Sequence, residues 1–234
     1  MKTSFTKIIL STALLMSTSL FASEVEVKIT NLTKGVYFTP LLVSAHNEGA
    51  KLFVSGEAAS SALQKMAEGG DIADLAADLT TAGATNIENP AGALLAPGMN
   101  TTAMLSIDDT LGNDYLSIVA MMLPTNDGFI ALNSVKIPSE AGTYVYKLNA
   151  YDAGTEANDE IINGAGAPNT AGIPAAPDGN GGTGASGLTS IAEGFVHIHR
   201  GNVGDFSSTA GISDLNAQTH RFLNPVASVT IVVK

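Results

Sequence analysis

The sequence predicts an all-β protein, an antiparallel β-sandwich of about eight strands with two short helices inserted. Three observations carry this. Short apolar or alternating runs of strand length recur along the chain, at residues 24–30, 36–45, 101–107, 115–123, 128–133, 143–149, 195–199 and 226–233. Turn chemistry separates them: Pro97–Gly98, Gly112–Asn113, Asn126–Asp127–Gly128 and Ala141–Gly142. Helical periodicity is confined to one stretch, so the strand–helix alternation of a parallel α/β sheet is missing.

Along the chain, residues 1–22 read as a leader rather than as fold. Lys2 and Lys7 precede a short apolar run from Ile8 to Met16, and small residues lead to Ala22. That is the layout of a secretory signal peptide, expected to be cut after Ala22, and the run is too short to span a bilayer. No later stretch is long and apolar enough for a transmembrane helix, so export to the periplasm or the exterior is expected. Residues 23–234 then form the expected sandwich domain. The run EVEVKIT (24–30) alternates Val25, Val27 and Ile29 with charged neighbours, the period of a half-buried strand. VYFTPLLVSA (36–45) is a second strand, with Pro40 marking an edge or bulge. KLFV (51–54) is a further short one. In EAASSALQKMAEGGDIADLAADLTTA (57–82), Ala59, Leu63, Met66 and Ala67 share a helical face. Gly69–Gly70 break that helix, and Asp71 caps a second one whose apolar side carries Ile72, Leu75, Ala76 and Leu79. Residues 164–187 contain eight Gly, three Pro and one charged residue, Asp178, and are expected to be a long mobile loop.

Composition narrows the function. The chain has 234 residues, 22 acidic against 11 basic, and no cysteine or tryptophan. A formal charge of −11 excludes a basic nucleic-acid or anionic-membrane surface. Zero cysteine excludes disulfides, thiolate metal sites and cysteine nucleophiles. Nucleophilic serine chemistry has no GxSxG elbow to stand on, since Gly184-Ala-Ser186-Gly187 lies in the low-complexity segment. The acidic cluster lacks the aromatic platforms of a glycosidase site. No catalytic residue is therefore assigned.

Two groups of residues could hold a metal. Asp127 sits in the turn after one strand, and Asp152 and Glu156 follow another in YDAGTEANDE (151–160), with Asp159 and Glu160 close behind. Carboxylates on neighbouring loops, with carbonyls freed by Gly and Pro, suit the flexible oxygen cage of Ca²⁺; a solvated acidic rim is the other reading of the same residues. His197 and His199 alternate on an expected strand and so project to one face. Such a pair can take Zn²⁺ or Cu²⁺ given a further ligand such as His220 or His46, or it can be a structural hydrogen-bonding pair.

The run LPTNDGFIALNS (123–134) followed by YDAGTEANDE resembles the core signature of the spondin N-terminal domain family, which includes F-spondin, mindin and bacterial secreted proteins. Residues 29–71, GFVHIHRG (194–201) and NPVASVTIVV (224–233) extend the resemblance over nearly all of the chain after the leader. It implies an eight-stranded antiparallel sandwich with Ca²⁺ held by loops at one end, the ligands falling on Asp127, Asp152 and Glu156. It departs from animal members in having Gly128 in place of Trp, Asn133 in place of Asp, Glu156 in place of a third Asp, and no cysteines. The expected function is a secreted or periplasmic, non-enzymatic Ca²⁺-binding module that contacts a protein or matrix ligand. The alternatives are a secreted His-dependent transition-metal protein or metallohydrolase, and a structural subunit of a surface assembly.

Overall fold

The computed structural model describes residues 23–107 and 112–234; the expected leader over 1–22 lies outside them. Ten strands and two helices are found among the described residues: β1 (Ser23–Asn31), β2 (Tyr37–Phe38), β3 (Leu42–His46), α1 (Ser61–Gly69), α2 (Ala73–Thr81), β4 (Thr85–Glu88), β5 (Asn100–Ile107), β6 (Tyr115–Leu123), β7 (Gly128–Lys136), β8 (Gly142–Asp152), β9 (His197–Ile198) and β10 (Ala227–Val233). They pair in the order β4-β3-β6-β7-β8-β10-β1-β5, with β2 on β6 and β9 on β8. Every ladder between named strands is antiparallel. The end strands β4 and β5 lie side by side, which nearly closes the sheet. The protein is mainly β, as the strand runs and turn chemistry require.

One long strand joins the two layers. The first part of β8, Gly142–Leu148, pairs with β10, while Asn149–Asp152 pairs with β7. The last residues of β8 therefore sit on a different layer from its first, and Asp152 ends up beside Gly128 on one flank and His197 on the other.

Burial explains the composition of each strand. In β1, Val25, Val27 and Ile29 are buried while Glu24 and Lys28 face solvent, so the strand alternates. In β6, Leu116, Ile118, Ala120 and Met122 enter the core between the layers, while Val119, Met121 and Leu123 enter a second core on the outer face. A strand buried on both faces reads as an unbroken apolar run, which is what YLSIVAMML is. The second core is the floor on which α1 and α2 lie, through Leu63, Met66, Ala67, Leu75 and Leu79. Ser60 caps α1 by accepting from Leu63 N–H, and Gly70 ends it with φ 73°, the left-handed region that glycine enters without a Cβ penalty.

Four sequence expectations change in detail. KLFV is not a strand: it is irregular, with Leu52 and Phe53 docked into the outer core and Phe53 carbonyl accepting from Asn133 Nδ2. Asp71 accepts from Ala73 N–H, but the residue flanking α2 is Ile72, one position later. The 36–45 run splits around Thr39–Pro40 into β2 and β3, because Pro40 has no N–H for a ladder. The run 195–199 pairs only over His197–Ile198. Residues 164–187 hold no helix or strand, but they are tied to the body. Ile173 is buried and bridges Ile162, and Asp214 accepts from Thr183 N–H, Thr183 Oγ1 and Ala185 N–H.

Candidate metal centre

The loops at one end of β7 and β8 are organised around Asp127. Thr125 locks the turn that carries it, accepting from Gly128 N–H and donating to Met122 carbonyl. The DAGTE segment wraps the Asp127 carboxylate. Its Oδ2 accepts from Thr155 N–H, Thr155 Oγ1 and Glu156 N–H, at 2.7, 3.2 and 3.1 Å. Its Oδ1 is buried without a partner. Burial, and then the nearby negative charge of Asp152, push the Asp127 carboxyl up to about 7 despite those hydrogen bonds.

Asp152 closes β8 and is 1% exposed. Its Oδ1 accepts from Gly154 N–H and its Oδ2 from Asn158 Nδ2. Gly154 adopts φ 68°, and a Cβ there would run into the Phe195 carbonyl, so glycine is what lets the 193–197 segment pack against this loop. Gly194 N–H donates to Gly154 carbonyl, completing the seam.

Glu156 is buried too, but its carboxylate turns elsewhere. Its Oε2 accepts from Gly172 N–H at 2.9 Å and from Asn126 Nδ2 at 3.3 Å, and its Oε1 has no partner. Burial pushes its carboxyl up to about 7, with Glu68 and Asp159 as the nearby negative charges. Asp127 and Asp152 are thus neighbours, while Glu156 faces Asn126 and the 172 turn. Asn126 clips the loop from the other side, donating to Asp159 Oδ1 and accepting from Glu160 N–H. Glu160 reaches across to hold Val203 N–H, Gly204 N–H and Ser213 Oγ.

His197 lies opposite Asp152 in the β8–β9 ladder. Its Nε2 stands 3.6 Å from Asp152 Oδ1 and 3.7 Å from Glu193 Oε1. Among the described residues, Asp152, Glu193 and His197 form a group whose candidate ligand atoms all fall within 4.8 Å of one another. Glu193 is not among the residues expected from the sequence; it lies in an irregular segment before β9, next to Gly194 at φ 80°. The signal that could have found it is its spacing of four residues from His197.

His199 is 5% exposed and its ring lies over Gly128. Its Nδ1 accepts from Gly201 N–H, which places the ring proton of the neutral form on Nε2. Burial drives its pKa down to about 4, so it is neutral at physiological pH. Asp152 and His199 both border a cavity of about 740 Å³, which Arg200 and Arg221 also line.

A family model described as Spondin_N matches residues 29–167, more than half of the chain. The chain belongs to the Spondin_N family. The Spondin_N match takes in Asp127, Asp152 and Glu156 and ends before Glu193, His197 and His199. In this Spondin_N protein, strand β9 and its preceding turn therefore bring residues from beyond the matched segment against Asp152. A comparison with curated proteins found no match. No helix among the described residues is long and apolar enough to cross a membrane.

Proposed function

We propose that this Spondin_N protein is an exported, non-enzymatic module that binds Ca²⁺ between the 124–127 turn and the 152–156 loop and uses that end of the sandwich to contact a protein or matrix ligand. The observation that carries the reading is Asp127: a fully buried carboxylate with one oxygen unpartnered, beside a second buried carboxylate, Asp152. Two adjacent buried acids repel unless one holds a proton or a cation lies between them. The donor set is oxygen-rich, as a hard cation requires. Glu156, with its unpartnered Oε1, joins as a ligand on a side-chain rotation away from Gly172. A cation there stiffens the two loops that Asn126 and Asp127 already clip together, and so fixes the surface they present.

Calorimetric titration of the chelated protein with Ca²⁺ tests the reading. One saturable site is expected in the wild type, with affinity lowered at least tenfold in Asp127→Asn. Absence of saturable Ca²⁺ binding refutes it.

A further inference from the structure

We infer that Asp152, Glu193 and His197 form a binding site for a transition-metal dication of the Zn²⁺ class, which shares Asp152 with the Ca²⁺ reading and differs from it in the donors Glu193 and His197.

The tautomer of His197 is the first argument. Its Nδ1 lies 3.0 Å from the Ile198 carbonyl, which can only accept, so the neutral ring carries its proton on Nδ1. The Nε2 lone pair is left buried and without a hydrogen-bond partner, 3.6 and 3.7 Å from two carboxylate oxygens. Lone pair against carboxylate is repulsive, and a cation between them reverses the sign. An imidazole that donates its other N–H to a backbone carbonyl is oriented as metal-ligating histidines are.

The spacing is the second argument. Separations of 3.6 and 3.7 Å are too long for hydrogen bonds from a protonated ring. Two N/O ligands bound tetrahedrally to one Zn²⁺ at 2.0 to 2.2 Å stand about 3.4 Å apart. Both separations from His197 Nε2 are close to that value, and the Asp152 and Glu193 oxygens lie within 4.8 Å of each other, so side-chain adjustment of the two carboxylates lets all three share one ion and leaves a fourth position for water. Glu193 Oε2 is buried without a partner, and Arg200 donates to Glu193 Oε1 from outside at 3.1 Å, holding the carboxylate in place.

The other histidines are the third argument, because each has its ring nitrogens committed differently. His46 donates through Nδ1 to Asn47 carbonyl and meets Ser117 Oγ with Nε2. His220 accepts from Asn216 N–H and donates to Asp178. His199 has spent its lone pair on Gly201. Among the described residues, His197 alone keeps an imidazole lone pair free, and an imidazole with two carboxylates selects a borderline metal over Ca²⁺.

The test is calorimetric titration of the full, chelator-stripped chain with Zn²⁺, alongside His197→Gln and Glu193→Gln. One Zn²⁺ per chain is expected, weakened at least tenfold in each variant, while Ca²⁺ affinity in His197→Gln stays within twofold of wild type. Lack of stoichiometric Zn²⁺ binding overturns the inference, as does Zn²⁺ binding that survives His197→Gln. Loss of both metals in that variant overturns the separate assignment. Imidazole ¹⁵N resonances of the wild type give a readout that needs no variant to fold. Zn²⁺ should move His197 Nε2; movement of His46, His199 or His220 instead contradicts the site.

Discussion

His197 and Asp152 face each other across the β8–β9 ladder, with the imidazole Nε2 3.6 Å from a carboxylate oxygen. The pairing is made possible by Gly154, two residues after Asp152, whose missing side chain leaves room for the Phe195 carbonyl. Gly154→Ala should therefore push the 193–197 segment off the loop. It combines a left-handed φ with a direct overlap, so destabilisation of about 1–3 kcal/mol is expected in urea unfolding. Zn²⁺ affinity should fall with it. A variant as stable as wild type would mean that the seam between the loop and β9 is not close-packed.

The pH dependence of stability follows from Asp127 and Glu156. Burial raises both carboxyls to about 7, above their ordinary values of 3.8 and 4.5. The folded state then binds more protons than the unfolded chain between about pH 4 and 7, so both groups make the metal-free protein less stable as pH rises through that window. His199 acts in the opposite sense. Its pKa is lowered to about 4 from 6.5, so its contribution is full above 6.5 and is lost as pH falls toward 4. Asp127→Asn removes one contribution and isolates it. Melting temperatures in chelator at pH 5 and pH 8 should show a smaller loss at high pH for Asp127→Asn than for wild type. Equal losses would show that Asp127 titrates normally.

Glu160 fastens the 200–214 segment to the site loops. Its two oxygens take the N–H groups of Val203 and Gly204, at 2.6 and 2.9 Å, and the hydroxyl of Ser213. Glu160→Gln replaces one accepting oxygen with an NH₂ that faces a donor. A cost of about 1–3 kcal/mol is expected, since buried donors lose a charged partner. Urea unfolding with one cooperative transition would read it; an unchanged midpoint would contradict the anchoring role.

Asp214 plays the same part for the glycine-rich stretch, accepting from Ile162 N–H, Thr183 and Ala185. Its hydrogen bonds to backbone hold its carboxyl below the usual range even though burial opposes this. Limited digestion with a broad-specificity protease should cut first within 175–187, where side chains are small and exposed positions frequent. Asp214→Asn should speed that cut severalfold. First cleavage inside the β ladders would contradict the order of local stability.

The alternating and apolar runs made the ladders legible. Val25, Val27 and Ile29 announced β1, and the double burial of β6 announced itself in YLSIVAMML. Strand β4 was not legible because Thr85, Asn86 and Glu88 are polar; it pairs with β3 at an end of the strand order and buries no residue fully. KLFV misled because Leu52 and Phe53 bury their side chains without any ladder partner, so apolarity alone did not distinguish strand from docked loop. The site was half legible. Asp127 and Asp152 stand together as their positions after strands suggested, and His197 projects to the same end. The direction of Glu156 depends on Gly172, sixteen residues on, and the arrival of Glu193 depends on a glycine turn. The first leaves no trace in the sequence, and the second leaves only the four-residue spacing of Glu193 from His197.

A cation held in the native state at the loop end of this Spondin_N sandwich, as proposed above, has to raise the stability of the fold. The most direct test is the melting temperature of the full chain at pH 7.5, in chelator and in millimolar Ca²⁺. A ligand bound only by the folded state must stabilise it. A rise of several degrees with Ca²⁺, abolished in Asp127→Asn, is expected. An identical melting temperature in chelator and in Ca²⁺ would contradict it.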